Sequence, residues 1–140
     1  MRQNHRRIKR DRLQTIYFRN RTVTKDNEGV PIESFETAFE RSAEVWPAGG
    51  RRQIEQYGDR IANIANARVQ GKYTLGEHFC ILFDDGNAIA MGDGVCVFVG
   101  GDELPDYRVI SISPSRPVHI EIERMTAGNA HGTTGETGNG

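Results

Sequence analysis

Two runs near the end of the sequence constrain the fold most. In residues 118–123, Val118, Ile120 and Ile122 alternate with His119, Glu121 and Glu123. In residues 107–112, Tyr107, Val109 and Ser111 fall on one face and Arg108, Ile110 and Ile112 on the other. A period of two marks a strand, because successive side chains point to opposite sides of the pleat. The later run has an apolar face and a charged face, which predicts a half-exposed strand with a wet outer side. Ser113-Pro-Ser-Arg-Pro is the connection between the two.

Earlier segments read the same way. Thr15 to Arg19 predicts a first strand with Ile16 and Phe18 on one face. Residues 24–31 predict a turn, with Asn27 and Gly29 supplying the φ freedom and Pro31 ending it. Residues 32–46 carry two periods. Phe35, Phe39 and Ala43 are four apart, but Phe35, Thr37, Phe39, Arg41, Ala43 and Val45 also share a strand face. The aromatics and the exit through Trp46-Pro47 favour one long, bent strand. Residues 79–83 form an apolar run expected to be buried on both faces, and Asp84-Asp-Gly-Asn is a hairpin turn. A short return over 88–91, an apolar strand over 95–99 and a polar turn over 100–106 follow.

Short strands with frequent turns predict an all-β protein, a barrel or a sandwich, with at most one short helix. Residues 15–125 would form this domain, a small β-barrel with one long inserted loop. That loop lies in residues 43–73, which leave a strand through Pro47, Gly49 and Gly50 and return as another ending in Gly-Lys-Tyr. A connection this long in a compact β domain is usually functional or disordered. Residues 49–60 are expected to project from the barrel, with room for one helical turn, and the return strand would span 61–69. An Ala- and Asn-rich helix over 51–66 is the competing assignment.

The ends differ from the middle. Through Thr22 there are eight cations against the single carboxylate of Asp11, and beyond it ten cations against eighteen carboxylates. Residues 1–14 thus form a basic arm on an acidic body, suited to nucleic acid or to an acidic protein surface. Its candidate contact residues are Arg6, Arg7, Lys9, Arg10 and Arg12; a short helix there, or a solvated terminus, are the other readings. Residues 126–140 are rich in Gly, Thr and Asn, a composition too polar to offset its ordering entropy, so a disordered tail is expected. No apolar run reaches the length of a membrane span and no signal peptide is evident, which predicts a soluble protein made in a cytoplasm. Buried free thiols are expected at Cys80 and Cys96.

Candidate chemistry is thin. Asp84-Asp-Gly and Asp93-Gly resemble the carboxylate turn of aspartic proteases but lack what should follow it. His78, Cys80, Cys96 and His119 hold only one close ligand pair, short of a zinc pattern. A cysteine nucleophile lacks an assigned base, Asp84, Asp85, Asn87 and Asp93 lack EF-hand spacing, and Gly92-Asp-Gly lacks the setting of a dinucleotide site. No catalytic residue, metal or cofactor is expected, and the chain is not expected to be an enzyme.

An ordered series of weaker motifs is more informative. Asp26-Asn-Glu-Gly precedes Ser42-Ala-Glu-Val-Trp-Pro-Ala-Gly-Gly-Arg, then the long polar segment and Ala67-Arg-Val-Gln-Gly-Lys-Tyr. Asp106-Tyr-Arg-Val-Ile-Ser-Ile and the strand from Val118 close the series. Over residues 15–125 this order resembles the phage head–tail joining proteins, also called head-closure, connector or stopper proteins. The hairpin over 77–94 is longer than the resemblance leads one to expect. The resemblance implies a structural virion protein that assembles as a ring of copies at the neck. It would lie between a portal or adaptor protein and a tail terminator or tail tube protein, with packaged double-stranded DNA in the channel. Localisation would be the head–tail interface of the virion, after assembly in the host cytoplasm, with no membrane partner. The loop over 49–60 would face the channel and help retain DNA, placing Arg51, Arg52, Gln53, Glu55, Gln56, Asp59 and Arg60 at the lumen or against neighbouring loops. The basic arm would touch DNA or the portal or adaptor.

Two other readings differ in class. A tail-completion or tail-tube protein would also use a small β domain with extended loops. A small-barrel nucleic-acid-binding module should interleave aromatics and cations on one sheet face, for which Tyr17, Phe18 and Arg19 are the available cluster.

Overall fold

The computed structural model describes residues 12–125. Eleven strands and one short α-helix follow in the order β1 (Gln14–Arg19), β2 (Arg21–Lys25), β3 (Pro31–Phe35), β4 (Phe39–Pro47), α1 (Gly50–Tyr57), β5 (Ile64–Val69), β6 (Tyr73–Leu75), β7 (Ile81–Phe83), β8 (Ala88–Ile89), β9 (Gly94–Cys96), β10 (Tyr107–Ser113) and β11 (Val118–Arg124). Six strands close an antiparallel barrel in the order β1-β4-β5-β11-β10-β9, and β9 completes it by pairing with β1. Closure removes the open edges that would otherwise template aggregation. The all-β barrel expected from the alternation is therefore present, with a single short α-helix among the described residues.

The barrel interior is filled by the inward residues of each strand. Ile16, Phe18, Ala43, Ala67, Val69, Val95, Val109, Val118, Ile120 and Ile122 are almost completely shielded. The small sheet β6-β7-β8 adds Tyr73, Ile81, Phe83 and Ile89 to the same cluster, so its inner face caps the core. Arg41 of β4 ties that sheet down: its guanidinium lies 3.9 Å from the Phe83 ring centre and bonds Asp85 at 2.7 Å.

Because neighbouring strands alternate in direction, the connections sort into two ends. The hairpin β2-β3, the sheet β6-β7-β8 and the β10-to-β11 turn leave from one end. The β4-to-β5 connection with α1, the β9-to-β10 loop, the chain entering β1 and the chain leaving β11 depart from the other, and the β9-to-β10 loop folds back so that Glu103 O accepts from Arg19 at 2.8 Å.

Several sequence expectations are corrected. Residues 32–46 are two strands in different sheets, since β3 pairs with β2 and β4 with β1. The break follows from Arg19, whose guanidinium donates to the carbonyls of Phe35 (3.0 Å) and Glu36 (2.8 Å), and from Glu36 N–H bonding Asn20 O. In the β2-β3 turn Gly29 alone adopts positive φ (81°). Asp26 organises the rest by accepting from the amides of Glu28 and Val30, and Pro31 opens β3 instead of ending the turn. The 79–83 run is not buried on both faces: Phe79 and Leu82 are exposed, and only Ile81 and Phe83 face inward. The strand expected over 95–99 stops at Cys96, because the Asp106 carboxylate captures the amides of Val97 (2.8 Å) and Phe98 (2.9 Å) and turns the chain outward. The register of β10 against β11 shifts between Val109 and Ser111. That bulge adds a residue to one strand and resets the alternation. Ile112 therefore packs against the same core as Val109, on the opposite face from the one its spacing predicts.

Candidate functional site

The long connection is not a projecting loop. Residues 50–57 form α1, a 3-10 turn Gly58–Asn63 continues it, and β5 begins only at Ile64. The strand expected from residue 61 thus starts three residues late, and the competing helix is realised over its first half. No side chain caps Gly49, but Gln53 Oε1 accepts from the Gly49 amide at 3.0 Å and takes over that role. Arg51 faces Glu55 at 3.9 Å and Arg52 donates to Gln56 at 3.0 Å, both at i,i+4 spacing. Gly58, at φ 58°, ends the helix in a conformation that side chains disfavour.

The helix is held by polar contacts. Gln53 and Tyr57, four apart, face the barrel, whereas Ile54 points outward and is 54% exposed. Beneath them lie Asn66 of β5 and Glu121 of β11, opposite each other in register. Gln53 Nε2 donates to Glu121 Oε2 (2.6 Å) and to Asn66 Oδ1 (2.8 Å). The Tyr57 hydroxyl donates to Glu121 Oε1, and Arg52 pairs with Glu121 Oε2 at 3.4 Å. Asn66 Oδ1 also accepts from His119 Nε2 at 2.9 Å, and the His119 ring stacks on Trp46. Arg60 closes the far end with two bonds to Glu123, at 2.8 and 3.1 Å. The outer face of β11, expected to be wet, is therefore covered, and Glu121 is 5% exposed.

Each group titrates according to this packing. Burial pushes the Glu121 carboxyl up, but the hydrogen bonds from Tyr57 and Gln53 and the Arg52 charge outweigh it and hold it below the ordinary value of 4.5. Burial, then the hydrogen bond to Glu121, raises Tyr57 to about 12. Burial and the nearby Arg68 cation lower His119 from 6.5. Both acid-side shifts favour the folded state at neutral pH. An unfolded chain takes up the His119 proton below about pH 6.5 and the Glu121 proton below about 4.5, before the folded chain does. Stability should therefore fall in two steps as pH drops. Denaturant midpoints measured from pH 8 to 4 test this, and His119→Gln should remove the upper step.

The candidate channel residues separate into two groups. Arg52, Gln53 and Arg60 are engaged with the barrel wall, while Arg51, Glu55, Gln56 and Asp59 are exposed. Arg6, Arg7, Lys9 and Arg10 lie outside the described residues. Arg12 is described, and pairs with Glu44 at 3.5 Å. Glu121, Asn66 and Tyr57, which organise the segment, were not singled out by sequence; the outward parity of Glu121 on β11 was the available signal.

The remaining candidates are dispersed. His119 belongs to the cluster just described, Cys96 is buried on the outer side of β9 with its thiol 3.9 Å from the Glu103 carbonyl, and Cys80 is half-buried. Burial raises the Cys96 thiol to about 11. Asp93 is buried and accepts from Asn20 Nδ2 and from the amides of Arg21 and Ala90, which anchors the hairpin to β8. Among the described residues no group of three or more His, Cys, Asp or Glu side chains is arranged to hold a metal ion. A polar groove of about 290 Å³ is lined by Thr15, Glu40, Arg41, Ser42, Gln70 and Gly71. No described helix is long and apolar enough to cross a membrane. No family model, curated protein or solved structure matches the chain.

The Tyr17–Arg19 cluster does not form an aromatic and cationic face, because Phe18 is wholly buried. Such a grouping occurs instead on the outer face, where Arg68 lies 5.4 Å from the Trp46 ring beside His119. Glu44 and Glu123 flank it on the same face, so it offers little net attraction for phosphate.

Proposed function

We propose that the chain is a structural subunit of a tailed-phage virion, forming a ring at the head–tail interface that joins portal or adaptor to tail and helps retain packaged DNA. The observation that carries this reading is the placement of the ordered motifs on one closed barrel. Trp46-Pro47-Ala-Gly-Gly-Arg is the exit from β4 into α1, Ala67-Arg-Val lies in β5, and the 106–112 and 118–123 runs form β10 and β11. The segment read as a channel loop is here a clasped helix. It would act as a fixed wall whose outward residues, Arg51 and Glu55, are available to DNA or to a neighbour. Arginine there would meet phosphates without reading sequence.

The test is a virion assembled without the protein. Full heads that lack tails are the expected product, and adding the purified chain should make them competent for tails. Tight binding to free duplex DNA at physiological salt, with no binding to heads, would instead favour the nucleic-acid module. Tails of abnormal length or with unfinished ends would favour a tail-completion role. The retention role is tested by Arg51→Glu, since Arg51 lies outside the clasp and is 89% exposed. More nuclease-sensitive DNA per particle is expected, and unchanged retention would remove α1 from the channel.

A further inference from the structure

We draw no further inference here: the strongest candidate, the Phe98 and Tyr107 surface patch at the head of the β9-to-β10 loop, where Phe98 is 77% exposed on a backbone fixed by the Asp106 carboxylate, carries nothing because nothing in the structure shows what covers it.

Discussion

Glu121→Ala is expected to lower stability by about 3 kcal/mol and to release α1 from the barrel. The carboxylate accepts from Gln53 and Tyr57 and pairs with Arg52 while itself 5% exposed. Removing one partner from a buried, charge-assisted cluster costs about 3–5 kcal/mol, because the groups left behind lose their partners. Arg52 moderates that figure: its side chain is 70% exposed and water can replace the lost pair. Gln53 keeps its bond to Asn66, but the Tyr57 hydroxyl is stranded. Glu121→Gln should cost less, about 1–2 kcal/mol. It still offers an oxygen to Tyr57, but its amide meets the amide of Gln53. Denaturant unfolding gives the energies, and amide exchange over residues 50–63 reports the release. A change below about 0.5 kcal/mol, the scale of ordinary surface substitutions, with unaltered exchange in that segment, would mean that the cluster does not hold the helix.

That cluster also marks where sequence reasoning reached its limit. The barrel was legible because β11 alternates cleanly and because turns punctuate the chain at short intervals. Where Arg19 pulls on the carbonyls of Phe35 and Glu36, or Asp106 captures two amides, a distant side chain ends a strand, and no local pattern announces it. The bulge in β10 is similar: Tyr107 to Ile112 look periodic, but pairing with β11 inserts one residue out of phase. At α1 the usual rule inverts. Hydrophobic spacing would turn Ile54 inward, yet Gln53 and Tyr57 face the barrel because the surface beneath them is Asn66 and Glu121. A polar helix on a polar strand face has no apolar stripe to betray it. Its sequence therefore resembles a free loop, although Gln53 is 6% exposed. The matching amide and carboxylate parity on β5 and β11 becomes meaningful only once register is known.

The second large effect is expected at the seam of the barrel. Gly94 opens β9, the short strand that closes the ring, and sits opposite Arg19 of β1 and Arg108 of β10. A Cβ placed there would lie 2.8 Å from Pro105 Cβ, closer still to Pro105 Cγ, and 3.1 Å from Phe35 Cδ1. The Pro105 ring is rigid and buried, and Phe35 is held where Arg19 binds its carbonyl. Overpacking of a filled site costs about 1–3 kcal/mol and more where neighbours cannot move, so Gly94→Ala should cost about 3 kcal/mol. With only three residues in β9, the strain has little ladder to resist it, and the seam should open before the rest of the barrel. Faster exchange at Val95 and Cys96 than at Ile120 would show this order. Pro105→Ala supplies the control. It removes the ring atoms that the new methyl meets, so the double variant should be more stable than the sum of the single changes by about 1 kcal/mol or more, the coupling expected of residues in contact. Strict additivity would show that the cost of Gly94→Ala does not come from this contact, and that β9 tolerates a side chain where the packing leaves no room for one.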